Sequence, residues 1–446
     1  MVRMKISVTA SIIALLLSAL VITVSFDRVN AATNVRGIIN SDTTWTKSNS
    51  PYNLTGNILV DSGVTLTIEA GAVVNFNCYY MRVNGSLEIQ PGVILNFKSA
   101  VGIQVNGVMT ARGTRNNPIH VNGIAYYYAW ITPASYSSIV FSQASAKWNE
   151  QTGSGCIMEN VILNSTAIEI HGSPRISSNT FVNNSRITVY GGSPIISKNT
   201  INGRISINGG SPIISNNCIK HGQIFYYSDQ FEDNVTVIGN VISGSSEGIW
   251  FLGGSVGGHA LIERNLIANN DVGIRIFNPN TDDLKTLLTI RKNTIVNNTV
   301  GIQLENRYSP TIINNNIYNN SANIKLSGSA SKDINVTYNW WGTTETQSIS
   351  QSIIDFEEDF NLGKVVYVPF LASPNAEAPA ATYIPPADSP TPPPSQEPPS
   401  NQESPQTGSV ETNLALALIL TVVCASLGVL IYFVKKRNSN KKYASS

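Results

Sequence analysis

Residues 193–201 read SPIISKNTI, and residues 211–219 read SPIISNNCI. Both contain one phrase, in which an aliphatic residue is followed by two variable positions, an asparagine, one more position and an apolar residue. The phrase occurs nine times between Cys156 and Trp341, with 18 to 28 residues between successive asparagines. These are Asn160, Asn179, Asn199, Asn217, Asn240, Asn265, Asn293, Asn315 and Asn339. Such a period indicates a solenoid, in which each repeat is one coil that buries its apolar side only against its neighbours.

The segments between the asparagines have the pattern of strands. Ile187-Thr-Val189, Ile205-Ser-Ile207 and Ile302-Gln-Leu304 are short, rich in β-branched residues and alternate between the two sides of the chain. Stacked coils place equivalent residues roughly 4.8 Å apart, a spacing at which asparagine amides can hydrogen-bond into a continuous ladder. The sequence therefore predicts an all-β parallel β-helix in which the nine asparagines form a structural ladder.

A resemblance to a known family supports this prediction. The segments Gly63-Val-Thr-Leu-Thr-Ile-Glu-Ala-Gly71, Val83-Asn-Gly85 and Asn117-Pro-Ile119 resemble the N-terminal coils of right-handed parallel β-helix repeat proteins of the pectin-lyase-like superfamily. The repeat phrase and Asn339-Trp-Trp-Gly342 resemble the same family, especially its surface-anchored members. The resemblance covers about residues 37–372 and implies a right-handed coil. Its motifs are structural and imply no particular activity.

The N-terminus has the pattern of a signal peptide. Arg3 and Lys5 precede an apolar run, and the small residues before Ala31 fit cleavage after that residue. Residues 1–31 are therefore predicted to be a signal peptide, and the alternative is an uncleaved N-terminal anchor. The β-helix ectodomain is expected to span residues 32–372.

The C-terminal part of the sequence predicts a tethered membrane anchor. Residues 373–410 are rich in proline and are expected to form a disordered, extended stalk. Residues 411–434 include an uncharged apolar run long enough to be a transmembrane helix, and the basic residues of 435–446 favour a cytoplasmic tail. Ser404-Pro-Gln-Thr-Gly408 resembles a sortase wall-sorting signal, but serine replaces the usual leucine, which favours retention in the membrane.

The charge balance bears on possible partners. Residues 32–413 contain 21 Lys and Arg against 27 Asp and Glu, so the predicted ectodomain carries a net charge of −6. This sequence offers no basic stripe for nucleic acid. The four histidines, His120, His171, His221 and His259, are not closely spaced, and methionine is scarce, so we predict no copper site, no other metal site and no cofactor.

The three longest repeats are consecutive and insert their extra residues at the same place. These insertions, at 226–234, 252–259 and 277–286, are predicted to be loops on one side of the rod. Loops on one side of a solenoid commonly hold its binding site. Their carboxylates are candidate ligand-binding groups: Asp229, Glu232, Asp233, Asp282 and Asp283.

The strand before these loops presents a row of outward side chains. Phe225, Trp250 and Arg275 occupy the same outward position in successive coils, so the two rings are expected to lie roughly 4.8 Å apart with the cation next to them. Aromatic rings beside acidic loops suit carbohydrate binding. The alternative is that the rings pack under the loops as a small apolar cluster.

These features predict a single-pass protein of a prokaryotic cell membrane with an extracellular ectodomain. Its expected role is structural, adhesive or carbohydrate-binding, with a surface polysaccharide or another cell-envelope component as partner. The alternative is a surface polysaccharide lyase or glycoside hydrolase that uses the loop carboxylates. The fold alone does not decide between them, since β-helices include both enzymes and inert stalks.

Overall fold

A computed structural model describes residues 31–98, 101–124, 137–227, 233–253, 258–277, 286–305 and 310–383. All of these residues belong to one compact unit, Met1–Pro392. The predicted signal peptide up to residue 30, the predicted stalk beyond residue 383, the predicted membrane helix and the basic tail lie outside the described residues. Within the described ranges, no helix combines the length and the apolar character needed to cross a bilayer.

All but two of the described strands form three faces, each of which runs along the stack of coils. Face A is a 12-stranded sheet of Thr43–Trp45, Thr65–Ile68, Ser86–Ile89, Val108–Arg112, Ile157–Glu159, Arg175–Ser177, Ile195–Ser197, Ile213–Ser215, Asp233–Ile238, Gly258–Glu263, Thr286–Arg291 and Thr311–Ile313. Face B contains Val73–Asn77, Ile94–Phe97, Ile119–Asn122, Val161–Asn164, Thr180–Val182, Thr200–Ile201, Cys218–Lys220, Val241–Ser243, Leu266–Ala268, Thr294–Val296 and Asn316–Tyr318. Face C contains Thr33–Ile39, Tyr52–Val60, Met81–Val83, Val101–Val105, Ser137–Phe141, Thr166–Ile170, Arg186–Val189, Ile205–Ile207, Ile224–Tyr227, Glu247–Leu252, Val272–Phe277, Val300–Glu305, Ala322–Ser327 and Ile353–Ile354.

Every pair of neighbouring strands is parallel, and each strand pairs with its equivalent in the next coil. On face A, for example, Ile176 pairs with Ile196, and Ile196 pairs with Ile214. Tyr52–Val60 continues from face B into face C, which joins these two faces into one 25-stranded sheet. The predicted all-β parallel β-helix is confirmed.

The core fills the centre of the coils with apolar side chains in fixed positions. A typical coil contributes Ile196 from face A, Ile201 from face B, and Ile205 and Ile207 from face C, each with no exposed area. β-branched residues suit these positions because their stiff side chains pack well on a pleated surface. These isoleucines and the other buried apolar side chains form one continuous cluster from the first coil to the C-terminal end.

The asparagines from Asn179 to Asn339 form a buried ladder between faces A and B. In each step the side-chain Nδ2 donates to Oδ1 of the next asparagine, at 2.9–3.1 Å. The same Oδ1 also accepts a bond from the preceding asparagine's backbone N–H, as Asn265 does from Asn240 at 2.9 Å. Each ladder side chain is at most 1% exposed.

The residue before each ladder asparagine turns the chain from face A to face B. This row, the A–B corner, has left-handed backbone torsions and comprises Ser178, Lys198, Asn216, Gly239, Arg264, Lys292, Asn314 and Tyr338, together with Asn160, which precedes Val161 in the coil before Asn179. A left-handed conformation costs roughly 1–2 kcal/mol for a residue with a side chain. In the coils from Asn179 to Asn339 the adjacent ladder bonds help to offset that cost.

Asn160 belongs to the corner and not to the ladder. Ile162 pairs with Thr180, so Val161 is the residue level with Asn179, and the N–H of Val161 donates to Asn179 Oδ1 at 2.9 Å. Asn160 lies one position earlier with φ of 52°, and its Nδ2 donates to the Gly113 carbonyl. The prediction that Asn160 belongs to the ladder was wrong by one residue. In the sequence, Ile157 fits the aliphatic position of the phrase, but in the structure Met158 occupies that position, since it pairs with Ile176.

Further asparagine ladders, which the repeat phrase does not reveal, connect other coils. Asn270 donates to Asn298, and Asn298 donates to Asn320, at 3.0 Å in both cases, between faces B and C. In the N-terminal coils, side-chain bonds of 2.8–3.0 Å link Asn53, Asn75, Asn96 and Asn122. Asparagine therefore links successive coils both at corners and along the strands of face B.

The last coil is covered by the residues that follow it. Ile334–Asn335 pairs with Val365–Val366, and the α-helix Thr346–Ser350 contributes the buried Ile349. Trp341 is 3% exposed and belongs to the core. The one other helix in the described ranges is a 3-10 turn, Lys47–Asn49. The open end of the core is thus shielded from edge-to-edge association.

We expect Asn265→Ala to lower the free energy of unfolding by about 1–3 kcal/mol, because it leaves the buried backbone N–H of Asn240 without its acceptor and takes a side-chain donor from the Val237 carbonyl. Asn160→Gly is the matched control and should cost less than about 1 kcal/mol, since glycine accepts left-handed torsions. Urea unfolding of both variants measures the difference. If both variants lose the same free energy of unfolding, the ladder hydrogen bonds contribute no more to stability than the contacts of a corner residue.

Candidate binding surface on face C

The predicted aromatic row lies on the outer surface of face C. Phe225 pairs with Trp250, and Trp250 pairs with Arg275. The same position continues as Gln303 and Lys325. The outward side chains are half-buried, whereas their neighbours along each strand point into the core. The alternation of the strands therefore sets the direction of this row.

The two adjacent rings lie between two cations. The Phe225 and Trp250 ring centres are 5.1 Å apart with an interplanar angle of 69°, an edge-to-face contact. The guanidinium carbon of Arg275 lies 5.2 Å from the Trp250 ring centre, and that of Arg204 lies 5.3 Å from the Phe225 ring centre. Each ring thus packs against another ring and a cation, a combination that fixes ring orientation.

Two carboxylates that the sequence did not single out hold Arg275 in place. Its Nε is 2.9 Å from Glu305 Oε1, and its Nη1 is 3.2 Å from Glu247 Oε1. Partial burial alone would lower the pKa of Arg275, but the hydrogen bonds and charges of Glu305 and Glu247 outweigh it and raise the pKa. Gln303 donates to the same Glu305 oxygen at 2.9 Å. Arg275 is therefore the centre of a network and not a lone cation.

A second outward row lies two residues further along the same strands. Tyr227, Leu252 and Phe277 are level with one another, and Glu305 follows them in the next coil. All four are half-buried. Together the two rows make an aromatic and apolar surface, which we call the face C patch: Phe225, Tyr227, Trp250, Leu252 and Phe277. Tyr227, Leu252 and Phe277 were assigned to the predicted loops, so the sequence analysis missed this second row.

The predicted acidic residues are placed differently. Asp233 begins a strand of face A, is 5% exposed, and accepts a hydrogen bond from the Gly210 N–H at 2.8 Å. It therefore supports the adjacent coil and is not a solvent-facing loop carboxylate. Asp229, Glu232, Asp282 and Asp283 lie outside the described residues. Tyr226, predicted to begin a loop, is a core residue that stacks on Phe251 at 4.6 Å.

A polar cavity of about 440 Å³ adjoins the patch at the corner between faces B and C. Arg186, Arg204 and Gln223 occupy equivalent positions at the start of face C, where the following coils have Gly248 and then Gly273. The remaining lining residues are Asn184, Gly203, His221, Gly222, Gly244, Ser245 and Ser246. Because Arg204 also contacts the Phe225 ring, the cavity and the patch form one continuous surface.

Two groups at this surface have hydrogen-bonding capacity that no described residue satisfies. The indole Nε1 of Trp250 and the side-chain Oε1 of Gln223 are both buried, and neither has a partner among the described residues. One is a donor and the other an acceptor. The described residues contain no group of three or more His, Cys, Asp and Glu side chains arranged to hold a metal ion.

No protein-family model, no curated protein and no solved structure matches this chain.

We expect Trp250→Ala to lower the free energy of unfolding by about 1–2 kcal/mol, because the ring loses its contacts with Phe225 and Arg275. Leu287→Ala is the control, since Leu287 is a large apolar residue on face A that is 62% exposed. It should change stability by less than about 0.5 kcal/mol. Equal effects in urea unfolding would mean that the Trp250 contacts contribute nothing to stability.

Proposed function

We propose that this protein is a cell-surface β-helix that binds carbohydrate through the face C patch and the adjoining cavity. The proposal rests on one observation: two rows of aromatic, apolar and charged side chains lie side by side on a rigid sheet, and the strand register fixes their spacing. Aromatic side chains supply apolar contact area of definite geometry, and polar groups around them give a bound sugar its orientation. Arg186, Arg204, His221 and Gln223 supply such groups beside the rings.

The rigidity of the sheet is part of the proposal. The patch residues lie on strands whose inner side chains, such as Ile249 and Ile274, are at most 2% exposed. Their spacing is set by the stacking of the coils and cannot adjust independently. A surface that is organised before binding loses little conformational entropy when a ligand arrives. An extended polysaccharide lying along the rod would meet side chains at the same two outward positions in consecutive coils.

The described carboxylates at the patch favour binding over hydrolysis. Glu247 and Glu305 both bind Arg275, so these carboxylates hold a cation and do not flank an open site for a glycosidic bond, as a catalytic pair would. A polysaccharide lyase or glycoside hydrolase remains the alternative proposal. It depends on Asp229, Glu232, Asp282 and Asp283, which lie outside the described residues.

Phe277→Ala tests the patch directly. A glycan array first identifies a ligand for the purified protein, and we expect the variant to bind it about 5- to 30-fold more weakly, which corresponds to about 1–2 kcal/mol. Leu287→Ala removes a similar apolar side chain from face A and should leave affinity unchanged. Absence of any glycan ligand, or equal losses in both variants, would refute carbohydrate binding at this surface.

We also propose that the ectodomain is extracellular and that one C-terminal helix anchors it in the cell membrane. The uncharged run within residues 411–434 and the basic residues after it support this topology. Protease added to intact cells should remove the β-helix and spare an epitope placed at the C-terminus. Cleavage of that epitope from outside the cell would contradict the topology.

A further inference from the structure

Residues 371–383 do not leave the end of the rod but run back along its side. The Leu371 N–H donates to the Asn339 carbonyl at 3.0 Å. Asn375 bonds in both directions with Asn316, one coil earlier, at 2.7 and 3.1 Å. The Tyr383 hydroxyl reaches the Gly239 carbonyl at 3.5 Å. Between the coils of Asn339 and Asn240 the segment passes four coil spacings, about 19 Å.

The segment follows the A–B corner, one corner residue after another. The Tyr338 N–H donates to the Pro369 carbonyl just before the segment begins, and Asn375 Nδ2 donates to the Asn314 carbonyl. Next come two basic corner residues, Lys292 and Arg264. The next corner residue, Gly239, has no side chain, and the Tyr383 hydroxyl lies against its carbonyl. The left-handed corner residues therefore form a continuous track for an extended chain.

One carboxylate of the segment meets both basic corner residues. Glu377 Oε2 is 2.8 Å from Lys292 Nζ, and its Oε1 is 3.6 Å from Arg264 Nη2. The hydrogen bond and charge of Lys292, followed by the charges of Arg264 and Arg291, lower the pKa of Glu377. Below the segment, Glu263 lies within 3.9 Å of Lys292 and 3.7 Å of Arg264. The two cations thus join the segment to the coil.

The segment also covers an apolar strip on face B. Leu266, Ala268 and Val296 point outward but are only 2–6% exposed, and Tyr383 packs against them. Lys220, which is level with Ala268 two coils earlier, is exposed. On face B, these apolar outward residues therefore lie in coils that the segment covers, whereas the exposed Lys220 lies in a coil that it does not cover.

We infer that residues 371–383 form a clasp, an intramolecular ligand that holds the chain against the flank of the last five coils and opens and closes while the rod stays folded. Without the clasp, the chain after residue 383 would leave from the C-terminal end of the rod. With the clasp closed, that chain leaves from the side of the rod, next to Gly239. A pull on that chain would therefore act first on the ion pairs of Glu377 and the contacts of Tyr383. The core of the last coil would be reached only after the clasp had opened.

Cleavage by an endoprotease specific for glutamate tests the clasp in the full-length protein. Cleavage after Glu377 requires the clasp to open, whereas Glu357 has a side chain that is 75% exposed and serves as an internal reference. We expect cleavage after Glu377 to be at least about tenfold slower than cleavage after Glu357. Equal rates at the two sites in the unaltered protein would overturn the proposal.

Lys292→Gln and Tyr383→Ala identify what holds the clasp. The first removes the closest ion pair and should speed cleavage after Glu377 about two- to fivefold. The second removes the apolar contact and should speed it about tenfold, with the thermal unfolding temperature of the rod unchanged because Tyr383 lies outside the coils. Lys198→Gln, at a corner position two coils beyond Tyr383, is the matched control and should have no effect. If Lys198→Gln acts like Lys292→Gln, or if Tyr383→Ala speeds cleavage only by lowering the unfolding temperature, the clasp does not open as a separate unit.

Discussion

The fold depends on a buried amide that repeats once in every coil from Asn179 to Asn339. Asparagine suits this position because its short side chain offers both a donor and an acceptor to the coils above and below. Removal of one amide leaves the buried backbone N–H of the preceding asparagine without its acceptor, so the ladder ties neighbouring coils together more strongly than apolar contacts alone. It also permits the left-handed corner before it, and that corner sets the angle between faces A and B.

The sequence predicted the fold well because its determinants are local and periodic. The phrase fixed the ladder from Asn179 onward, yet it misplaced Asn160, since Ile157 and Met158 are both apolar and the spacing allows either alignment. The two alignments differ in whether Asn160 adopts a left-handed backbone torsion, and the residue types in the phrase do not determine that torsion. The ladder of Asn270, Asn298 and Asn320 was missed because its only sequence signal is a pair of adjacent asparagines in each coil.

The candidate site was predictable in direction but not in extent. Alternation along a strand placed Phe225, Trp250 and Arg275 outward, and the register shows them so. The length of the face C strands was not predictable: they lengthen from three residues at Ile205–Ile207 to six at Glu247–Leu252. This lengthening creates the second row and brings Glu247 and Glu305 to Arg275. Long-range pairs of this kind depend on which coils are neighbours, which the sequence shows only after the register is known.

The C-terminal segment shows where composition is a limited guide. A stretch rich in proline and alanine cannot build a core of its own, and on that basis residues 373–383 belonged to the predicted stalk. They pack nevertheless, because the coils supply the apolar strip, the corner carbonyls and the two cations that the segment lacks. Composition describes what a segment can bury against itself, whereas a solenoid offers the same row of groups in coil after coil. An extended chain whose contacting residues recur at the spacing of the coils can therefore bind along that row without forming a helix or a strand.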